Sequence, residues 1–192
     1  MKKAMMLIMV VVSVSVALAG GFQDVEWGMS QQLVKEKIPN KKWKGPALCK
    51  NKCIYCEDKV MKLKIWVWFY FDNDKLYKVS LVPEPTTFSV ISEGGTFDIY
   101  GRKILAVYRA LKQPMVEKYG NPKSSDCVNN SHIPNIDSAI ISGQAECFDV
   151  WETEDTTIKL QIKRKTSAGT GTSLWEPIVV YESRTIKPTP ER

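Results

Sequence analysis

The spacing of apolar positions changes several times along this chain, and each change predicts an element. The clearest run is Met61 to Phe71. There Met61, Leu63, Ile65, Val67, Phe69 and Phe71 alternate with Lys62, Lys64, Trp66, Trp68 and Tyr70. A period of two in β-branched and aromatic residues predicts a strand with one buried face. Asp72-Asn73-Asp74-Lys75 predicts a turn, and Leu76 to Val82 the returning strand of a hairpin. Upstream, Ser30 predicts a helix N-cap. Leu33, Val34 and Ile38 form the apolar face of that helix, and Pro39-Asn40 stops it. Residues 40–59 read as irregular and lysine-rich.

Beyond residues 84–96, which read as a loop or an extra short strand, the period lengthens. Ile104, Leu105, Tyr108, Leu111, Met115 and Tyr119 recur at three- and four-residue spacing, which predicts a helix from about Phe97 to Tyr119. Pro114 predicts a break near Lys112–Pro114, because proline removes a helical hydrogen bond. Gly120 and Pro122 end the helix. A polar loop at 121–138 precedes three more strands: Ala145 to Glu152, Thr156 to Lys165, and Glu176 to Arg184 after a Ser167–Ser173 linker. The order helix, hairpin, helix, three-strand meander predicts an α+β fold, an antiparallel sheet with helices packed on one face. It spans 21–186 as a single domain, divisible into two helix-then-meander units at 21–95 and 96–186. The tail at 187–192 (KPTPER) is expected to be disordered.

The first twenty residues read differently. Lys2 and Lys3 precede an apolar run from Met5 to Leu18, and Ala17-Leu18-Ala19 places small residues where a signal peptidase reads. This is the pattern of a signal peptide at 1–20, cleaved after Ala19 or close by, and too short for a typical membrane span of roughly 20 residues. No cysteine follows the cleavage region, which argues against a lipid anchor. The mature chain is expected to be periplasmic or secreted, with no transmembrane segment.

Charge sharpens the picture only locally. Losing Lys2 and Lys3 lowers the formal charge from +6 to +4. Between Lys35 and Lys64, however, ten lysines stand against three acids, Glu36, Glu57 and Asp58. Such a segment suits an anionic envelope component or an acidic protein. Nucleic acid is not expected, since there is no arginine-rich stretch or nucleic-acid motif.

Phe22-Gln-Asp-Val-Glu-Trp-Gly-Met-Ser30 and the helix after it resemble the mature start of uncharacterised exported bacterial proteins. Tyr119-Gly-Asn-Pro122, closing a helix ahead of a meander, fits the same pattern. The order of elements is similar to that of the SmpA/OmlA-like lipoproteins of outer-membrane assembly and of the tandem-repeat β-lactamase inhibitor protein. The resemblance implies an α+β fold and a binding or scaffolding role. It assigns no functional residue.

Residues 49–56 read CKNKCIYC. Structural zinc needs four ligands, and Cys49, Cys53 and Cys56 supply three, with the single histidine, His132, far along the chain and Cys127 or Cys147 the other candidates for a fourth. A thioredoxin-type role for Cys53 and Cys56 needs a following helix to lower the thiol pKa, whereas acids and a strand follow here. Covalent haem needs a histidine where Glu57 stands. In an oxidising compartment disulfides are the expectation. Cys127 and Cys147 would form one, and Cys49 with Cys53 or Cys56 a second, leaving one thiol unpaired. Neither metal nor cofactor is expected.

Trp66, Trp68 and Tyr70, with Lys62 and Lys64 continuing their face, form the candidate binding surface, because large rings anchor interfaces. His132 sits in a Ser-His-Ile-Pro loop, and neither a Gly-x-Ser-x-Gly elbow nor a phosphate-binding glycine loop occurs. The expected function is non-enzymatic binding or scaffolding on a macromolecular or envelope partner. The alternatives are a thiol-disulfide oxidoreductase using Cys53 and Cys56, and an inhibitor-like binder of a secreted enzyme.

Overall fold

The computed structural model describes residues 24–45, 49, 52–60, 63–84, 97–129, 135–141, 144–166 and 173–190. The expected signal peptide, Met61, Lys62, His132 and most of the Ser167–Ser173 linker lie outside them. Ten elements follow in order: α1 (Gln31–Lys37), β1 (Cys53–Val60), β2 (Leu63–Asp72), β3 (Lys75–Pro83), α2 (Phe97–Tyr119), β4 (Ser124–Asn129), α3 (Ile136–Ile141), β5 (Ala145–Glu152), β6 (Thr156–Thr166) and β7 (Ser173–Ser183). The fold is α+β, with one antiparallel sheet of seven strands in the order β1-β2-β3-β7-β6-β5-β4. The two meanders are therefore fused through the β3–β7 pair into one continuous sheet.

The alternation read in β2 sets the two faces of that sheet. Ile65, Val67, Phe69 and Phe71 are at most 2% exposed and point to the inner face. Leu76, Val79 and Leu81 of β3, Ile158, Leu160 and Ile162 of β6, and Val179 and Tyr181 of β7 join them. Helix α2 covers this face with Ile104, Leu105, Tyr108, Leu111 and Met115, the stripe expected from spacing. Helix α3 adds Ala139 and Ile140 beside α2 and β5.

Two glycines carry the backbone where other residues would be strained. Gly28 (φ 87°) lets the Trp27–Met29 segment lie along β3, where its N–H donates to the Leu76 carbonyl and Leu76 N–H donates to that of Met29. Trp27 Nε1 donates to Thr156 Oγ1 at 2.8 Å. The Trp-Gly-Met-Ser motif thus bolts the entry of α1 onto the sheet, and Ser30 caps that helix by accepting from Leu33 N–H. Gly120 (φ 76°) closes α2.

Several expectations change. Helix α2 runs unbroken through Pro114, because one lost N–H is outweighed by Leu111 and Met115, buried on either side of it. Leu33 is 46% exposed: neighbours i and i+1 are about 100° apart on a helix, so Val34 and Ile38 take the core and Leu33 turns away. The segment that reads as irregular at 40–59 holds all but the last residue of strand β1, and the loop at 121–138 holds β4 and the first turn of α3. Residues 187–190 are tied down rather than loose: Thr189 N–H and Oγ1 both donate to Asp72 Oδ2, at 3.0 and 2.8 Å.

Candidate binding face

The outer face of the sheet is built from the residues between those of the core. One row crosses all seven strands: Tyr55, Trp68, Ser80, Val180, Lys159, Val150 and Ser124 lie opposite one another in turn. The next row holds Glu57, Trp66 and Val82 at one end and Ile178, Gln161, Phe148 and Asp126 at the other. Trp66, Trp68, Tyr70, Val82, Phe148, Val150, Ile178 and Val180 are all half-exposed. Among the described residues no helix covers this face.

The structure brings Trp66, Trp68 and Tyr70 together as expected, and adds Tyr55. Tyr55 stacks on Trp68 (ring centroids 4.4 Å apart, planes 19° from parallel) and tilts against Trp66 at 6.1 Å. Trp68 and Tyr70 lie 6.4 Å apart. Tyr70 bonds the Ser80 hydroxyl, and burial pushes its phenol pKa up. Tyr55 is hidden in the sequence because the lysines around it make residues 40–59 read as irregular. The alternation of Ile54, Cys56 and Asp58 with Tyr55 and Glu57 was the available signal, obscured because cysteine here acts as a small core residue.

The lysines around the rings are largely paired. Lys44 Nζ sits 5.7 Å from the Tyr55 ring centre and 2.8 Å from Glu57, and this pairing raises the Lys44 pKa and lowers that of Glu57. Lys78 lies 5.5 Å from the Tyr70 ring and 3.2 Å from Glu182. Lys41 pairs with Asp58 at 3.0 Å and Lys64 with Glu84 at 3.7 Å. These two pairs flank a cleft of about 330 Å³ over Ile65 and Trp66. The basic segment is thus interleaved with acids from β1 and with Glu84 just past the end of β3, rather than a uniform positive patch.

The cysteines resolve into Cys49–Cys53 and Cys127–Cys147 disulfides, with Cys56 free and buried. Cys127 and Cys147 are directly opposed in β4 and β5. In a strand, residues three apart face opposite sides, so Cys53 and Cys56 diverge. Cys56 packs toward the core beside Val67, and burial pushes its thiol up to about 11. A buried thiol held protonated is a poor nucleophile. Among the described residues, no three of His, Cys, Asp and Glu come close enough to share a metal ion.

One buried polar cluster was not foreseen. Asp149, fully buried on β5, accepts from Tyr108 Oη at 2.6 Å, from Lys112 Nζ at 2.8 Å and from the Ser125 hydroxyl. Burial, then the adjacent carboxylate, raises the Tyr108 phenol pKa far above its ordinary value. All three donors converge on a single carboxylate, so the cluster ties α2 to β4 and β5.

No protein-family model matches this chain, and neither a curated protein nor a solved structure matches it.

Proposed function

We propose that this is a non-enzymatic binding protein, acting outside the cytoplasm, that docks a macromolecular partner on its outer sheet face. The observation that carries this reading is the outward, half-buried cluster of Tyr55, Trp66, Trp68 and Tyr70, with no helix over it among the described residues, continued by Val82, Ile178, Val180, Phe148 and Val150. Contiguous apolar patches of more than a few hundred Å² mark interaction sites on folded chains, and aromatic residues dominate the energetics of such sites. The ion pairs around the rings supply the polar rim that interfaces carry. Two disulfides fit an oxidising compartment. Among the described residues no helix is long and apolar enough to cross a membrane.

The test is site-specific photo-crosslinking in the producing cell. A crosslinker at position 68 or 150 is expected to give discrete adducts, and one at position 103, exposed on α2, none. Equal adducts from both faces, or none from 68 and 150, would reject the reading.

A further inference from the structure

We infer that the occupant of the outer face is a second copy of this chain, packed sheet to sheet about a two-fold axis running along β7. The inference rests on the reading of that face as a docking surface and names its partner. β7 is the middle strand, with three strands on either side. A two-fold along it lays β2 of one copy over β5 of the other, and β2 and β5 run in the same direction, since every neighbouring pair between them is antiparallel.

The register then decides what meets what. Trp68 and Val150 share one row, and Trp66 and Phe148 share the next. Stepping two residues further each way along both strands gives Lys64 with Glu146 and Tyr70 with Glu152. The outward residues of β2 (Lys64, Trp66, Trp68, Tyr70) therefore face Glu146, Phe148, Val150 and Glu152 of the second copy. The contacts are cation on carboxylate, ring on ring, ring on aliphatic, and phenol on carboxylate. Beyond these strands the halves are close to balanced: Lys59, Lys64 and Lys78 stand with Glu57 on the β1–β3 half, and Asp126, Glu146 and Glu152 with Lys159 and, by register, Lys163 and Lys165 on the β4–β6 half, so the Lys64–Glu146 contact carries the charge match. The like charges this arrangement would bring together are Glu57 with Asp126, and Glu176 and Glu182 each with its own copy on the axis; Glu57 and Glu182 are already neutralised by Lys44 and Lys78.

The size of the face fits as well. Seven strands at about 4.8 Å span roughly 29 Å, and four rows at about 6.7 Å span roughly 20 Å, so the flat face covers about 600 Å² before side-chain relief is added. A standard interface buries about 800 Å² per partner, and two sheets pack about 10 Å apart with side chains interdigitated.

The experiment is sedimentation equilibrium of the oxidised mature chain over a micromolar range, with Lys64→Glu, Glu146→Lys and the double exchange. The wild type is expected to dimerise. Each single reversal should raise the dissociation constant by about tenfold or more, and the double exchange should restore the dimer. Circular dichroism of each variant separates loss of dimer from loss of fold. A monomeric wild type at every concentration, or dimers indifferent to both reversals, overturns the inference. If the wild type is monomeric while position 68 or 150 still crosslinks to another macromolecule, the second-copy inference falls and the docking face stands; if neither position gives an adduct, both fall.

Discussion

Tyr55 and Trp68 lie directly opposite each other on β1 and β2, with their rings stacked at 4.4 Å. This contact sits on the solvent side of the sheet, opposite the Ile54–Phe69 pairing that buries the next residues inward. Cross-strand aromatic pairs contribute about 0.5–1.5 kcal/mol beyond the area they bury. A double-mutant cycle of Tyr55→Ala and Trp68→Ala in urea unfolding is expected to give a coupling of about 1 kcal/mol. A coupling near zero would mean that the rings do not support β1 at the sheet edge.

Legibility followed periodicity. β2, β5 and α2 were readable because each buries a long stripe with its own period, and the outward ring of Trp66, Trp68 and Tyr70 came with it. β1 was obscured by lysines and by Cys56 standing in a core position. β4 (Ser124–Asn129) has no strand-forming composition; it is held by its ladder to β5 and by the Cys127–Cys147 bond. α3 has six residues, too few to display a helical period. The pairing of Lys41, Lys44 and Lys64 with acids was also invisible, because their partners are set by strand register rather than by neighbours in sequence.

Asp149→Ala should be the most damaging single polar substitution on the inner face. It removes the acceptor shared by Tyr108, Lys112 and Ser125 and leaves the Tyr108 hydroxyl buried without its partner. Breaking a buried, paired charge costs about 3–5 kcal/mol; Lys112, one-third exposed, can turn to water, which places the expected loss near the lower end. Chemical denaturation of the oxidised protein measures it, and a loss under about 1 kcal/mol would show that the cluster is not what ties α2 to β5.

The cysteines predict a definite chemical map. Non-reducing peptide mapping should return Cys49–Cys53 and Cys127–Cys147, with one thiol at Cys56. That thiol should resist alkylation at pH 8.5, where an ordinary cysteine is about half ionised, and react fully once the chain is unfolded. Replacing Cys127 and Cys147 together by alanine opens a loop with a sequence separation of 20, for which chain entropy predicts a loss of about 3 kcal/mol. Rapid labelling of Cys56 in the native protein would contradict its place behind β1.

The last prediction concerns acid. Asp72 accepts both bonds from Thr189, and those bonds, first the hydroxyl and then the backbone N–H, hold its carboxyl below the usual aspartate range. A carboxylate whose folded pKa is depressed contributes stability above its unfolded pKa and loses it as pH falls through the folded value. The C-terminal segment should therefore stay docked on the β2–β3 turn at neutral pH and detach as pH falls through that lowered pKa. The Thr189 amide, followed by NMR, should titrate in that window and lose its hydrogen-bonded shift. Asp72→Asn keeps an acceptor oxygen but removes the charge, so the segment should be more weakly docked at neutral pH, and its amide should no longer move with acid. If the Thr189 amide titrates identically in both proteins, a carboxylate other than Asp72 controls the tail.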